Sequence, residues 1–326
     1  MRAVVLQADR TLRVEERPEP APATGEVRVR VAACGLCGSD LHFRTSAAIP
    51  PGTVFGHELA GTVDAVGAGV TGWREGDRAC VYPFTPLDHH ELMAIVGGVG
   101  CGGPPGGLAE SVVVGADRLW RLPDALPLET GALVEPLAVA LHALDVAGVH
   151  ADDGVAIVGA GPIGVLVACA LRARGVTRVV AVDRNAKRTE RIAALGFAAV
   201  GLDDVHETVV AELGAAPRVV VECAGHPSAP PLALELVAES GVVALVGMHE
   251  EPVAISQLLL MLKEAQLRAA MTYRPANFDE AIGLLTDGAL PVTDLVTGRE
   301  PLEQAQAVVD ALEDPATDHV KVLFVP

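Results

Sequence analysis

The sequence predicts an α/β chain in which a doubly wound parallel sheet is inserted into a β-rich domain assembled from both chain ends. Three observations carry this. Up to about residue 135, short strand-like runs are broken by Gly and Pro; from about Leu137, valine-rich runs alternate with amphipathic helices; a last valine-rich run closes the chain at 320–325. Alternating strands and helices imply a parallel sheet covered by helices on both faces. The expected boundaries are 1–136 and 278–326 for the β-rich part and 137–277 for the insertion.

Each element has a local reason. Val27-Arg28-Val29-Arg30-Val31 alternates with the period of two that a half-buried strand requires, and 61–67 and 111–114 are further strand candidates. Continuous apolar runs at 155–158, 179–182, 219–221 and 242–246 suit strands buried on both faces, with helical stretches such as 186–195 between them. Helices are expected at 278–286 and 302–312, and no internal repeat or low-complexity linker interrupts the pattern.

Composition narrows the function. A chain of 326 residues, half of them hydrophobic, has room for two cores, yet no apolar run reaches membrane-span length. The opening strand 1–6 is soon interrupted by Asp9 and Arg10, so no signal-peptide core is seen and a cytoplasmic protein is expected. A net charge of −18 argues against a nucleic-acid partner, which needs a basic face. The six cysteines are scattered, unlike a secreted disulfide framework; Cys34, Cys80, Cys169 and Cys223 read as packed thiols.

Two motifs carry chemistry. Gly159-Ala160-Gly161-Pro162-Ile163-Gly164 follows the strand run 155–158 and opens a helix. In that setting the first glycine allows the tight turn, the second lets backbone approach a pyrophosphate, and the third permits close helix packing. Asp183, at the end of the next strand, suits the two ribose hydroxyls of NAD and repels the extra phosphate of NADP; the adjacent Arg184 is the feature that would favour NADP. Arg188, Cys223 and Gly247 are further candidates to face the cofactor. The second motif is Cys37, in Cys37-Gly38-Ser39-Asp40-Leu41-His42, followed by Gly56-His57-Glu58. Thiolate, imidazole and carboxylate are the ligand types of zinc, whose catalytic sites use three protein ligands and keep one position open. Zinc and a dinucleotide on one chain point to hydride transfer at an alcohol carbon.

These motifs, together with Gly76-Asp77-Arg78, Glu135-Pro136-Leu137 and Lys321-Val322-Leu323 in the same order, resemble the zinc-containing medium-chain alcohol dehydrogenases nearly end to end. The run 133–143, with Glu135 where other branches have a cysteine, is similar to the sorbitol and (R,R)-2,3-butanediol dehydrogenase branch, as are Met271-Thr272-Tyr273 and Phe278-Asp279-Glu280. The resemblance implies a Rossmann domain inserted in a GroES-like catalytic domain. It also implies one catalytic zinc held by Cys37, His57 and Glu58, with Glu135 bound directly or through a water, and Asp40 behind His57 to fix its tautomer. Ser39 and then His42 would pass the alcohol proton to solvent. His142 also matches, but its place on a helix behind the site favours packing.

The implied function is NAD-dependent oxidation of a secondary alcohol, a vicinal diol or polyol first. The alternatives are a threonine-type amino alcohol on the same chemistry, a zinc-free reductase of quinones or enoyl compounds, and a non-catalytic zinc- and dinucleotide-binding protein. The family also implies a homodimer or homotetramer, with contacts sought at an edge strand near 242–246 and at 253–262. The chain departs from its relatives where many carry a four-cysteine structural zinc lobe. Here Cys101 is the only cysteine of the shortened stretch 84–107, so no structural zinc is expected. Asp88, His89, His90 and Glu91 read as a solvated turn, the apolar 92–96 as a buried or subunit-facing segment, and the loop between His42 and Phe55 as short.

Overall fold

The computed structural model describes residues 1–84, 97–249, 251–288, 290–314 and 317–326. The polar turn 88–91 and the apolar stretch 92–96 therefore lie outside the described residues. The described residues form two compact units: 1–135 with 281–287 and 292–326, and 136–280 with 288–291.

In the first unit, β1 (Arg2–Leu6) and β2 (Leu12–Glu16) pair antiparallel as a two-stranded sheet, and β3 (Glu26–Gly35) is the central strand of a larger one. It pairs antiparallel with β4 (Glu58–Val66), with β6 (Ser111–Gly115) and with the C-terminal β15 (Lys321–Phe324). Beyond β4 lie β5 (Arg78–Val81) and β7 (Leu119–Arg121), and beyond β15 lies β14 (Val296–Glu300). The final strand thus returns to the N-terminal sheet, as its composition predicts. Alternation in β3 does what its period requires. Val27, Val29 and Val31 join Leu59, Val63, Val112 and Val322 in one core, while Arg28 turns out to bond Asp64 on β4 at 2.8 Å. Each such fully buried valine contributes about 1.5–3 kcal/mol relative to exposure. Helix α1 (Gly38–Thr45) leaves directly from the end of β3.

The second unit holds six parallel strands: β8 (Gly154–Val158), β9 (Arg178–Val182), β10 (Ala198–Val200), β11 (Val219–Glu222), β12 (Val242–Leu245) and β13 (Gln266–Ala269). Their order, β10-β9-β8-β11-β12-β13, is the doubly wound dinucleotide-binding order. Strand order reverses between β8 and β11, and ligands bind beyond the carboxyl ends of strands at such a point. One expectation is corrected here. Val242–Leu245 is not an edge strand, because it pairs with both β11 and β13; the edge is β13. Gln266-Leu267-Arg268-Ala269 carries no valine run and gave no strand signal. Helix α2 (Gln257–Lys263), beside it, exposes Leu258, Met261 and Leu262. Among the described residues one helical stretch, Leu128–Ala147, is long and apolar enough to cross a membrane, but 72% of its most apolar window is buried inside the protein.

The starts of β8 and β11 are tied by an ion pair between Asp153 and Arg218, with the His150 N–H donating to Asp153 at 2.7 Å. Burial alone would raise the Asp153 pKa, yet Arg218 and the His150 N–H outweigh it and hold it below its ordinary 3.8. A depressed carboxylate pKa stabilises the fold above its unfolded value, and the contribution is lost as pH falls through the folded value. Asp153→Asn is therefore expected to cost about 1–2 kcal/mol at pH 7. The gap to the parent protein should close as pH falls below the ordinary 3.8 and through the folded value, as urea denaturation at several pH values would show; a pH-independent gap would contradict this.

Candidate active site

Backbone geometry brings the metal-type ligands together. Cys37 is the N-cap of α1, so the positive end of the helix dipole points at its sulfur. Gly56 takes φ +102°, open to glycine at little cost, and a Cβ there would stand 2.6 Å from the Cys34 sulfur. That turn delivers His57 and Glu58 to the start of β4. The donor atoms of Cys37, His57 and Glu58 lie within 4.8 Å of one another.

Asp40 links the ligand segments. Its Oδ2 accepts from the Cys37 N–H at 3.0 Å, while Oδ1 faces His57 Nδ1 at 3.5 Å. Asp40 and His57 are both buried, and neither of these facing atoms has a hydrogen-bond partner at normal range. A carboxylate behind the far nitrogen of a histidine is the arrangement that orients a metal-ligating ring. This pairing, with a compact thiolate–imidazole–carboxylate set in front of it, fits zinc. Burial alone would lower the His57 pKa, but Cys101, Asp40 and Cys37 around it drive it well above 6.5.

Two participants were not foreseen from the sequence. Lys321, at the start of β15, is buried and donates to both Glu58 oxygens at 2.7 Å and to the Leu36 carbonyl at 3.1 Å. Gly35 makes room for this pair, since a Cβ there would meet Glu58 Oε2 at 2.0 Å. Glu58 thus sits in the ligand cluster while its charge is neutralised from behind. Burial would lower the Lys321 pKa, but the Glu58 charge outweighs it and raises it. The second is Cys101, 2% exposed, whose thiol pKa is pushed up by burial against the opposing influence of nearby His57. A cysteine within a Gly- and Pro-rich stretch has no periodicity to place it.

The remaining candidates fall as follows. Glu135 is buried and outside the compact cluster, yet its charge reaches Cys101 and Lys321. Ser39 is half-buried and His42 exposed, three residues apart on α1 and so on one helix face. His142 is buried, and so are Cys34, Cys80 and Cys169, all free thiols.

In the second unit, Gly159 has φ +103° and packs so closely that a Cβ would stand 2.7 Å from the Ala224 nitrogen; one on Gly164 would stand 1.9 Å from the Gly159 carbonyl. Gly161 differs, for only Arg188 Nη1 comes near its Cβ position, at 3.9 Å. The backbone there is open to a ligand, at the N-cap of helix α3 (Pro162–Ala173), with Ile163 in its first turn. Asp183 accepts from the Ala160 and Asn185 N–H groups, each at 2.8 Å, and lies 3.9 Å from Arg188, whereas Arg184 is exposed. Cys223 and Gly247 stand just past the carboxyl ends of β11 and β12. Glu222, not singled out in the sequence, accepts from the Ala224 and Gly225 N–H groups and shapes that rim.

Comparison with known proteins gives this geometry its family. Residues 23–124 match the alcohol dehydrogenase GroES-like domain and residues 162–287 the zinc-binding dehydrogenase domain. Sorbitol dehydrogenase from Gallus gallus is 33% identical over 323 residues, covering 93% of this chain and 90% of that protein. The chain belongs to the zinc-containing medium-chain alcohol dehydrogenases. Within that family, (R,R)-butanediol dehydrogenase from Bacillus subtilis is also 33% identical, covering 93% of each chain. The crystal structure of 2R,3R-butanediol dehydrogenase from Bacillus subtilis superposes with a TM-score of 0.91 at 32% identity, covering 100% of this chain and 99% of that one. Two further structures at 28% identity hold a nicotinamide cofactor. One, from Escherichia coli CFT073, is complexed with NADH (TM-score 0.89); the other, from Sinorhizobium meliloti 1021, is bound to NADP (TM-score 0.87), and each comparison covers 100% of this chain and 99% of the other. As a family member the chain is an oxidoreductase of CH–OH groups that uses zinc and a nicotinamide dinucleotide.

The buried Lys321–Glu58 pair makes a stability prediction. Removing one partner of a buried pair strands a charge and costs about 3–5 kcal/mol, whereas replacing both costs far less. Lys321→Met should thus strongly destabilise the chelator-treated protein, and Glu58→Gln added to it should restore most of the loss. Additive effects in urea denaturation would show that the two groups do not act as a pair.

Proposed function

We propose that this chain oxidises a vicinal diol or polyol at a secondary carbinol, with NAD as the hydride acceptor. The observation that carries the proposal is the compact Cys37–His57–Glu58 cluster backed by Asp40, in a chain so similar to sorbitol and butanediol dehydrogenases. Zinc, when bound, supplies Lewis-acid polarisation of the alcohol oxygen. Cys37 and His57 hold it, Asp40 fixes the ring of His57, and Glu58 and Glu135 offer carboxylate oxygens. Ser39 accepts the alcohol proton, and His42, on the same helix face but exposed, hands it to solvent.

Gly161, the N–H groups of the first turn of Pro162–Ala173 other than the proline, and Arg188 would hold the pyrophosphate of the dinucleotide. Asp183 keeps lone pairs beyond those its backbone partners use, and its negative charge favours ribose hydroxyls over a 2′-phosphate. One zinc per chain is proposed, since Cys101 is the only cysteine of the stretch 84–107 where many relatives carry four. A cytoplasmic homo-oligomer completes the reading; the exposed Leu258, Met261 and Leu262 next to edge strand β13 offer a surface for subunit contact.

The test is NADH formation on vicinal diols, polyols and threonine, with and without a zinc chelator. Turnover of a diol or polyol that the chelator abolishes is expected, and Ser39→Ala should lower kcat by about 10²–10⁴-fold. Turnover of threonine alone would move the substrate to amino alcohols. Zinc-loaded protein inert across the panel would overturn the proposal. For the cofactor, Asp183→Ser should reduce the preference for NAD over NADP by at least about tenfold, some 1.4 kcal/mol; an unchanged ratio would remove Asp183 from that role.

A further inference from the structure

Glu222 takes no part in the reaction just described, yet it is more enclosed than any other charged side chain described in the second unit. It is 1% exposed, at the carboxyl end of β11. Its carboxylate is met by main chain: Oε1 accepts from the Ala224 and Gly225 N–H groups at 2.7 and 3.0 Å. Gly247, just past β12, packs on the same group, since a Cβ there would stand 2.7 Å from both carboxylate oxygens and 2.3 Å from the Gly225 nitrogen. The Glu222 carbonyl meanwhile accepts from the Val246 and Gly247 N–H groups at 2.9 and 3.0 Å. On the other side, the Cys223 N–H donates at 2.8 Å to Val158, the last residue of β8. The carboxyl ends of β8, β11 and β12 are thus joined through one residue.

A carboxylate this deep carries a cost. Burial raises the Glu222 pKa above its ordinary 4.5, against the opposing pull of the Gly225, Ala224 and Gly247 N–H groups. An apolar side chain would fill the same space without that cost, so what the carboxylate adds is a fixed position for the main chain it gathers. The sheet order gives that position a use. Asp183 follows β9, Gly161 follows β8, and β11 and β12 come next in the order β10-β9-β8-β11-β12-β13. A dinucleotide with its adenosine ribose at Asp183 and its pyrophosphate at Gly161 would run on in the same direction, over the ends of β11 and β12. We propose that Glu222 is a positioning residue for the nicotinamide half of the cofactor: by tying 223–225 to 246–247 it fixes the main-chain surface on which that half is seated. The adenosine half does not depend on it, because Asp183 is held by its own partners, the Ala160 and Asn185 N–H groups.

This inference rests on the dinucleotide site described above, and two ligands separate the two. NADH fills both halves of the site, whereas ADP-ribose has the adenosine and pyrophosphate groups but no nicotinamide ring. Binding of each to the full chain is measured by calorimetry. Glu222→Gln keeps the shape of the side chain but exchanges charge-assisted hydrogen bonds for neutral ones about half as strong. It should weaken NADH binding about tenfold while ADP-ribose stays within about twofold of the parent. The emission of bound NADH, which reports the surroundings of the ring, should move toward that of free NADH. Equal losses for the two ligands, or no loss for either, would overturn the proposal and leave the dinucleotide site standing. Failure of the parent to bind either ligand would overturn both. Should Glu222→Gln not fold, Glu222→Asp keeps the charge but withdraws it by one methylene from the N–H groups. The same selective loss of NADH is expected there, and an unselective loss or none would rule Glu222 out.

Discussion

The Lys321 ammonium is the interaction on which the β-rich unit is organised around its site. It touches the Leu36 carbonyl, one residue before Cys37, and both oxygens of Glu58, one residue after His57, and it comes from the last strand of the chain. Three segments far apart in sequence are thereby fixed against one another at a single charged group. An unpaired charge this deeply buried would cost several kcal/mol, so the pair acts less as a source of stability than as a condition of correct assembly. Strand β15 must be in register with β3 for the ammonium to meet Glu58, and the same register places Leu323 opposite Gly35, where a side chain would strike Glu58.

Around that point the site is built by close backbone approach. Strands β3 and β4 come together at glycines on the Cys37 side, and the 97–107 segment lies on the His57 side with Gly100 against Gly56. Large side chains could not bring three polypeptide segments this near one donor set. The consequence is preorganisation: Cys37 at a helix N-terminus, His57 after a left-handed turn and Asp40 touching both segments are set by main chain, not by flexible side chains.

What the sequence made legible follows the same distinction between local and distant. The turn around Gly159–Gly164 was readable because strand, glycine turn and helix are contiguous, and its order in the sheet follows from strand–helix alternation. Cys37 and His57 could be singled out because each stands in a short motif. Lys321 was noted only within the closing motif Lys321-Val322-Leu323, and its role could not be read until the strand is seen to return 263 residues to Glu58. Strand β13 was hidden by its half-polar composition, which displaced the sheet edge expected at 242–246. Cys101 was read only as the remnant of a shortened lobe, because a Gly- and Pro-rich turn carries no period from which its facing could be inferred.

Charge balance connects these features to the chemistry. Around His57 stand Cys37, Asp40 and Glu58, a concentration of acidic groups that no neutral interior could hold without compensation. Lys321 offsets Glu58, and a divalent cation held by the donor cluster would offset the rest. That pairing has a direction: the ammonium neutralises from behind a carboxylate that stands in the donor cluster, so a bound cation would keep more of its charge for an alcohol oxygen. A site with every anion bound to the cation would be a weaker Lewis acid. The lysine on the last strand therefore serves two ends at once, closing the sheet and holding the Glu58 carboxylate in place at the donor cluster.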